Sequence, residues 1–124
     1  FCLVPTLGFY EPNYESGKAE RWLIRRVDDT PFALAGIWEA RRDESGLVQH
    51  SFSMLTINAD THPLMRRFHG PEDEKRSVVV VPPDDYTAWL HAAAEEDARA
   101  LLRPFPAADF TAEPAPRPPR KARA

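Results

Sequence analysis

Glu11 and His69 are the residues of this chain whose type and setting suit proton transfer. Glu11 lies in Gly8-Phe9-Tyr10-Glu11-Pro12, where an apolar run breaks. A carboxylate held at a strand end is a natural general acid/base, because the strand fixes its position and the following loop leaves room for a substrate. His69 follows Met65-Arg66-Arg67-Phe68 and precedes Gly70-Pro71. Imidazole moves protons near neutral pH, arginine binds phosphate, and an aromatic ring stacks on a base. Together these residue types suit a phosphate-rich ligand. The ordinary alternatives are a solvated glutamate beside a turn and an idle loop histidine. Sequence alone does not say whether the two side chains meet.

Other chemistries lack their residues. There is no Gly-rich phosphate loop and no Gly-x-Ser-x-Gly elbow. The four histidines, His50, His62, His69 and His91, form no pair at helical ligand spacing, and there is no Cys-x-x-Cys. Neither a metal nor a cofactor is expected. Cys2, the single cysteine, stands in an apolar run and reads as a small buried hydrophobe rather than a nucleophile.

The elements that must position Glu11 and His69 are mostly strands. Cys2–Pro5 and Phe9–Glu11 read as two short strands, with Pro12 ending the second and a turn-rich loop over 12–18. Residues 20–57 predict a three-stranded antiparallel meander. Its strands surround turns at Asp28-Asp29-Thr30 and Asp43-Glu44-Ser45-Gly46, and Phe52, Met54 and Thr56 share one face. Gly36, inside the apolar run Phe32–Arg41, marks a bulge or a close backbone approach. Leu64–Phe68 predicts one helical turn opened by Pro63. Ser77–Val81 is β-branched and predicts a buried strand. Pro82-Pro83-Asp84-Asp85 opens a helix through Tyr86, Trp89 and Leu90, and Glu95–Arg103 predicts a second. Many short strands without a βαβ rhythm imply an α+β domain with a mainly antiparallel sheet or open barrel and C-terminal helices.

The 124 residues suit one domain over 1–103. The Pro-rich, basic stretch 104–124 is expected to be a disordered tail. No run approaches the roughly 18 apolar residues of a membrane span. A net charge of −3 does not mark a nucleic-acid binder, so any contact with phosphates must come from local patches. The chain opens with Phe1 directly in a strand-like run, which suggests the C-terminal part of something longer.

Several stretches, in order, resemble one family. Cys2-Leu3-Val4-Pro5 with Gly8-Phe9-Tyr10-Glu11 is similar to the central motif of the SRAP family, the SOS response-associated peptidases. Phe32–Glu39 resembles its strand ending in Gly-Leu-Trp-Glu, and Phe52–Ala59 its Phe-Thr-x-x-Thr segment. His69, a basic loop, Val78–Val81, Pro82–Tyr86 and Trp89-Leu90 resemble its His-x-Arg-Met-Pro ending. The resemblance implies a SRAP-like fold and a bacterial, cytoplasmic, nucleoid-associated protein of the SOS response to DNA damage. Such proteins recognise abasic sites in single-stranded DNA. Their N-terminal cysteine attacks the ring-opened sugar aldehyde through its amine and closes a thiazolidine through its thiol, leaving a DNA–protein crosslink. By this resemblance Glu11 is the acid/base that assists crosslinking and self-processing of the N-terminus, and His69 promotes ring opening or imine formation and reverses the crosslink.

This sequence departs from the pattern in places. The family's opening Met-Cys-Gly-Arg and its active-site asparagine are absent, and Cys2 matches an internal segment, so the nucleophile is not carried over to it. Pro12 replaces a tryptophan, and Gly70–Lys75 separates His69 from Arg76 where the pattern has one residue. Arg66, Arg67, Arg76, Trp38 and Thr56 are the DNA-contact candidates. Core packing is the ordinary role for Trp38, and a solvated face for the arginines. The alternative functions are a peptidase acting on itself or on peptides, and a non-covalent single-strand-binding module. The expected partner is single-stranded DNA with an abasic site, with no membrane and no metal. A monomer is the expected state.

Overall fold

The structure is a computed structural model and describes residues 1–120. The strands are β1 (Cys2–Thr6), β2 (Phe9–Asn13), β3 (Glu20–Arg26), β4 (Phe32–Arg42), β5 (Val48–Met54), β6 (Thr56–Asn58), β7 (Arg76–Val78), β8 (Val80–Val81) and β9 (Phe110–Pro114). Two short helices follow β8, α1 (Tyr86–Leu90) and α2 (Glu95–Arg99). Among the described residues every strand pairing is antiparallel and no sheet closes, which is the α+β, mainly antiparallel open architecture read from the sequence.

The first sheet is built on β4. Its opening residues, Phe32-Ala33-Leu34-Ala35-Gly36, are apolar and mostly small, so both faces can be covered, and all are buried. β1 runs along this half from Cys2 opposite Gly36 to Thr6 opposite Phe32, and β8 pairs with Ala33 and Leu34. From Gly36 onward the partner is β5, ending with Val48 opposite Arg42. Gly36 is required at this junction: a Cβ there would stand 2.9 Å from Cys2 Sγ and 3.1 Å from the Ser53 carbonyl. This is the close backbone approach expected at that position.

The second sheet has the order β2-β3-β9, and β6-β7 form a third pair. Ile24, Phe32, Leu34, Met65, Phe68, Phe105 and Phe110 form the main core. Ala35, Val79, Val81, Trp89 and Ala98 form a second cluster, fixed to β1 by the Trp89 indole, which donates to the Cys2 carbonyl at 2.7 Å.

The meander expected over 20–57 does not form. β4 and β5 make a hairpin, but β3 joins β2 and β9 instead. Hairpin adjacency is a local preference, and β9, remote in sequence, takes the edge of β3 and brings Phe110 into the core. The same strand corrects the expected tail. Residues 104–120 hold Phe105 and Phe110, 3% and 6% exposed, and β9 pairs with β3 from Phe110 opposite Arg26 to Pro114 opposite Trp22. Burying each phenylalanine is worth about 1.5–3 kcal/mol, which outweighs the signal of the surrounding prolines. The last four residues of the expected tail, 121–124, lie outside the described residues.

Pro12 does not end β2, which continues to Asn13. β2 is an edge strand, and the Pro12 carbonyl points away from β3 to accept the His69 N–H at 2.9 Å. The N–H that proline lacks is therefore missing from the open side and not from the ladder. The β-branched run Ser77–Val81 divides at Val79, whose carbonyl accepts from Ala35, so β7 and β8 serve different sheets. The second helix is shorter than expected, although Leu101 and Leu102 still pack on the second cluster. β5 alternates in sequence, yet it is exposed on both faces.

Candidate active site

Glu11 is the middle residue of β2. Strand alternation places Phe9, Glu11 and Asn13 on one face and Tyr10 and Pro12 on the other. Phe9 packs on the main core and Asn13 is 1% exposed, so the Glu11 carboxylate is drawn under cover, with its side chain 16% exposed. Trp22 stands opposite Glu11 on β3 and shares that face. Loss of hydration pushes the Glu11 pKa up from its ordinary 4.5, and the nearby His69 pulls it down by less. The result is a carboxyl that gives and takes a proton closer to neutrality than an exposed one does.

His69 reaches the same place from the loop. Met65–Arg67 form one 3-10 turn, held down by Met65 and Phe68, both 0% exposed. Phe68 bridges to Asn13 and meets the Trp22 ring edge-on at 6.1 Å. The next residue therefore emerges alongside β2, where its N–H donates to Pro12. His69 Nε2 lies 3.4 Å from Glu11 Oε2 and 3.1 Å from the Arg76 carbonyl oxygen. A carbonyl can only accept, so Nε2 carries the hydrogen and the neutral ring presents Nδ1 as its acceptor. The structure thus brings together the two residues singled out for proton transfer.

The lengthened His–Arg spacing does not part His69 from Arg76, because the loop Gly70–Lys75 folds back and returns the Arg76 carbonyl to the His69 ring. The Arg76 guanidinium donates to the Thr56 carbonyl at 2.7 Å and to its hydroxyl at 3.2 Å, and pairs with Glu74 at 3.0 Å. Arg76 and Thr56 are therefore neighbours. Arg67 pairs with Glu15 at 2.8 Å and lies 5.1 Å over the Trp22 ring. Arg66 is exposed and makes no ion pair among the described residues. With Tyr14 and Lys75, the residues Arg66, Arg67 and His69 line a groove of about 250 Å³.

Trp38 is placed elsewhere, on the β4–β5 hairpin. Core packing, its ordinary role, does not hold. β4 leaves the core after Gly36, and Trp38 is 56% exposed, opposite Phe52 at 62% and 6.2 Å from the His50 ring. Cys2 lies within β1, half-buried, with its sulfur against Gly36.

Two further residues of the site carry no signal in the sequence. Trp22 reads as an ordinary core aromatic, and only the β2–β3 register sets it beside Glu11. Its Nε1 is the one buried side-chain polar atom without a partner among the described residues, an idle donor on the face of the carboxylate. Asn13 sits in a loop by sequence; in the structure it donates to the Arg67 carbonyl and to Glu15, tying the His69 turn to β2. Among the described residues no group of three His, Cys, Asp or Glu is placed to hold a metal, and no helix is long and apolar enough to cross a membrane.

A family model described as SOS response associated peptidase (SRAP) matches residues 1–117. Among solved structures, the chain is similar to a protein from Bordetella bronchiseptica, at 40% identity and a TM-score of 0.86, covering 92% of this chain and 54% of that one. A phage-related protein from the same organism gives 27% identity and a TM-score of 0.63, covering 91% and 52%. A protein from Bacteroides thetaiotaomicron, at 23% identity and a TM-score of 0.79 over 91% and 48%, shows the fold alone. The chain spans about half the length of these proteins. No curated protein matches it.

Proposed function

Since the chain belongs to the SRAP family, we propose that Glu11 and His69 are the proton-transfer pair of a protein that captures abasic sites in single-stranded DNA during the response to DNA damage. The observation that carries this reading is their approach to 3.4 Å on a half-covered sheet face. The chemistry needs such a pair. The closed abasic sugar must lose a proton from its C1′ hydroxyl and gain one on its ring oxygen to expose the aldehyde. The amine of an N-terminal cysteine then adds to that carbon, the carbinolamine loses water to form an imine, and the thiol adds to the imine to close a thiazolidine. The amine sheds a proton and the departing hydroxyl takes one up. Glu11, with its raised pKa, suits both transfers, and His69, with Nδ1 as its acceptor, suits ring opening and the reverse reaction.

Cys2 is not assigned the nucleophile's role. Its nitrogen is bonded to Phe1 and its sulfur is packed against Gly36, so the reading takes the nucleophile from outside these 124 residues. Arg66, and less strongly the internally paired Arg67 and Arg76 beside Thr56, would hold phosphates. Trp38 with Phe52 would stack on bases. The protein would act in the cytoplasm, on the nucleoid.

The test uses the full-length protein and a single-stranded oligonucleotide with one abasic site, run on a denaturing gel. A retarded band is expected, and it should form more slowly with His69→Ala. Cleavage of added peptides without such a band would favour a peptidase, the activity in the family's name. Salt-dependent binding with no preference for the lesion would favour a non-covalent module.

A further inference from the structure

His69 has a left-handed backbone, with φ of 70°, and it is not a glycine. A residue with a Cβ keeps that conformation only where its surroundings impose it. Its N–H is held by Pro12. Its carbonyl is held by Lys75, whose Nζ donates to the His69 carbonyl at 3.1 Å and to the Gly70 carbonyl at 2.7 Å. Successive carbonyls of an extended segment point in opposite directions, whereas these two converge on one ammonium. Lys75 is itself fixed at both backbone groups. Its N–H donates to Asp60 Oδ1 at 3.0 Å, and its carbonyl accepts from the Ala59 N–H at 2.7 Å. Ala59 is 3% exposed and belongs to the main core, so the ammonium is anchored to the body of the fold.

We propose that Lys75 is a positioning residue for His69: its ammonium clamps the His69 and Gly70 carbonyls and so holds the backbone that places the imidazole against Glu11 and the Arg76 carbonyl. Two of its three donors are committed to carbonyls, so its part is to shape the loop and not to capture phosphate. The inference rests on the proposed role of the Glu11–His69 pair and adds the group that sets its geometry.

The test is a thermal double-mutant cycle between Lys75→Met and His69→Gly, joined to ¹⁵N spectra of the His69 ring. Lys75→Met should lower Tm, and lower it less in the His69→Gly background, because glycine accepts a left-handed φ without help. The His69 ring should be an Nε2–H tautomer in the wild type and a tautomer mixture in Lys75→Met. The crosslinking rate should fall roughly tenfold or more, as a misplaced reacting group predicts. Lys75→Gln, which keeps a donor, replaces Lys75→Met if that variant does not fold. Equal Tm losses in both backgrounds with an unchanged tautomer would overturn the inference. Absence of any wild-type crosslink, with the thermal coupling and tautomer response intact, would instead remove the proposed function and leave the clamp standing.

Discussion

Replacing Glu11 with glutamine should move activity and stability in opposite directions. The substitution keeps the shape of the side chain and its place opposite Trp22, and removes the charge and the exchangeable proton. Positioned proton transfer contributes about 10²–10⁴ in rate, so the barrier should rise by about 3–5 kcal/mol. Stability follows from the direction in which the pKa moves. Burial raises the Glu11 pKa above 4.5 by more than His69 lowers it, so the fold prefers the neutral form. Between 4.5 and the raised value, the folded protein holds a proton that the unfolded chain has released. Wild-type stability therefore falls as pH rises through that window and stays at the lower level above it, a tenfold change in the proton-binding constant on folding amounting to about 1.4 kcal/mol. Glutamine has no such slope. At pH 8, Glu11→Gln should melt higher than the wild type, and the gap should close as pH falls below 4.5. The assays are thermal melts at both pH values and a gel time course with an abasic oligonucleotide. A variant that crosslinks at the wild-type rate, or melts lower at pH 8, would refute the argument.

Three further outcomes are expected. Phe110→Ala should destabilise the fold by about 3–5 kcal/mol, a Tm loss on the order of 10–20 °C, because the ring is 6% exposed in the main core; an unchanged Tm would return β9 to a loose tail. Trp38→Ala should leave Tm within error, its side chain being 56% exposed, and weaken single-stranded DNA binding by about 1–3 kcal/mol in a titration. Arg66→Ala should reduce the salt slope of that binding by about 0.7 without altering preference among sequences.

The candidate residues were legible because their types are local facts. Glu11 at the edge of an apolar run and His69 among arginines announce themselves, and so does Gly36. What the sequence withheld was pairing. Nothing near Trp22 shows that it faces Glu11, and nothing near Phe110 shows that it lies against β3, since both facts depend on register between distant strands. Proline misled twice for one reason. Its missing N–H matters only where a ladder needs it, and both Pro12 and Pro114 sit where the missing bond costs little. Trp38 misled in the opposite direction: an apolar run suggests burial, but β4 outlasts the core that covers its first half.

The place of β9 also sets an order of assembly. The first sheet draws β1, β4, β5 and β8 from residues 2–81, whereas the sheet carrying Glu11 is completed only when β9 arrives. The Arg21–Ala115 bond that extends this pairing joins residues 94 positions apart. Contacts of that separation close late, because the loop entropy is spent before the pairing returns anything. During synthesis, the strand beneath the Glu11–His69 pair would remain without its outer neighbour until nearly all of the described chain had been made. The sheet that carries Glu11 would then be completed after the first sheet, whose strands all precede β9 in the chain.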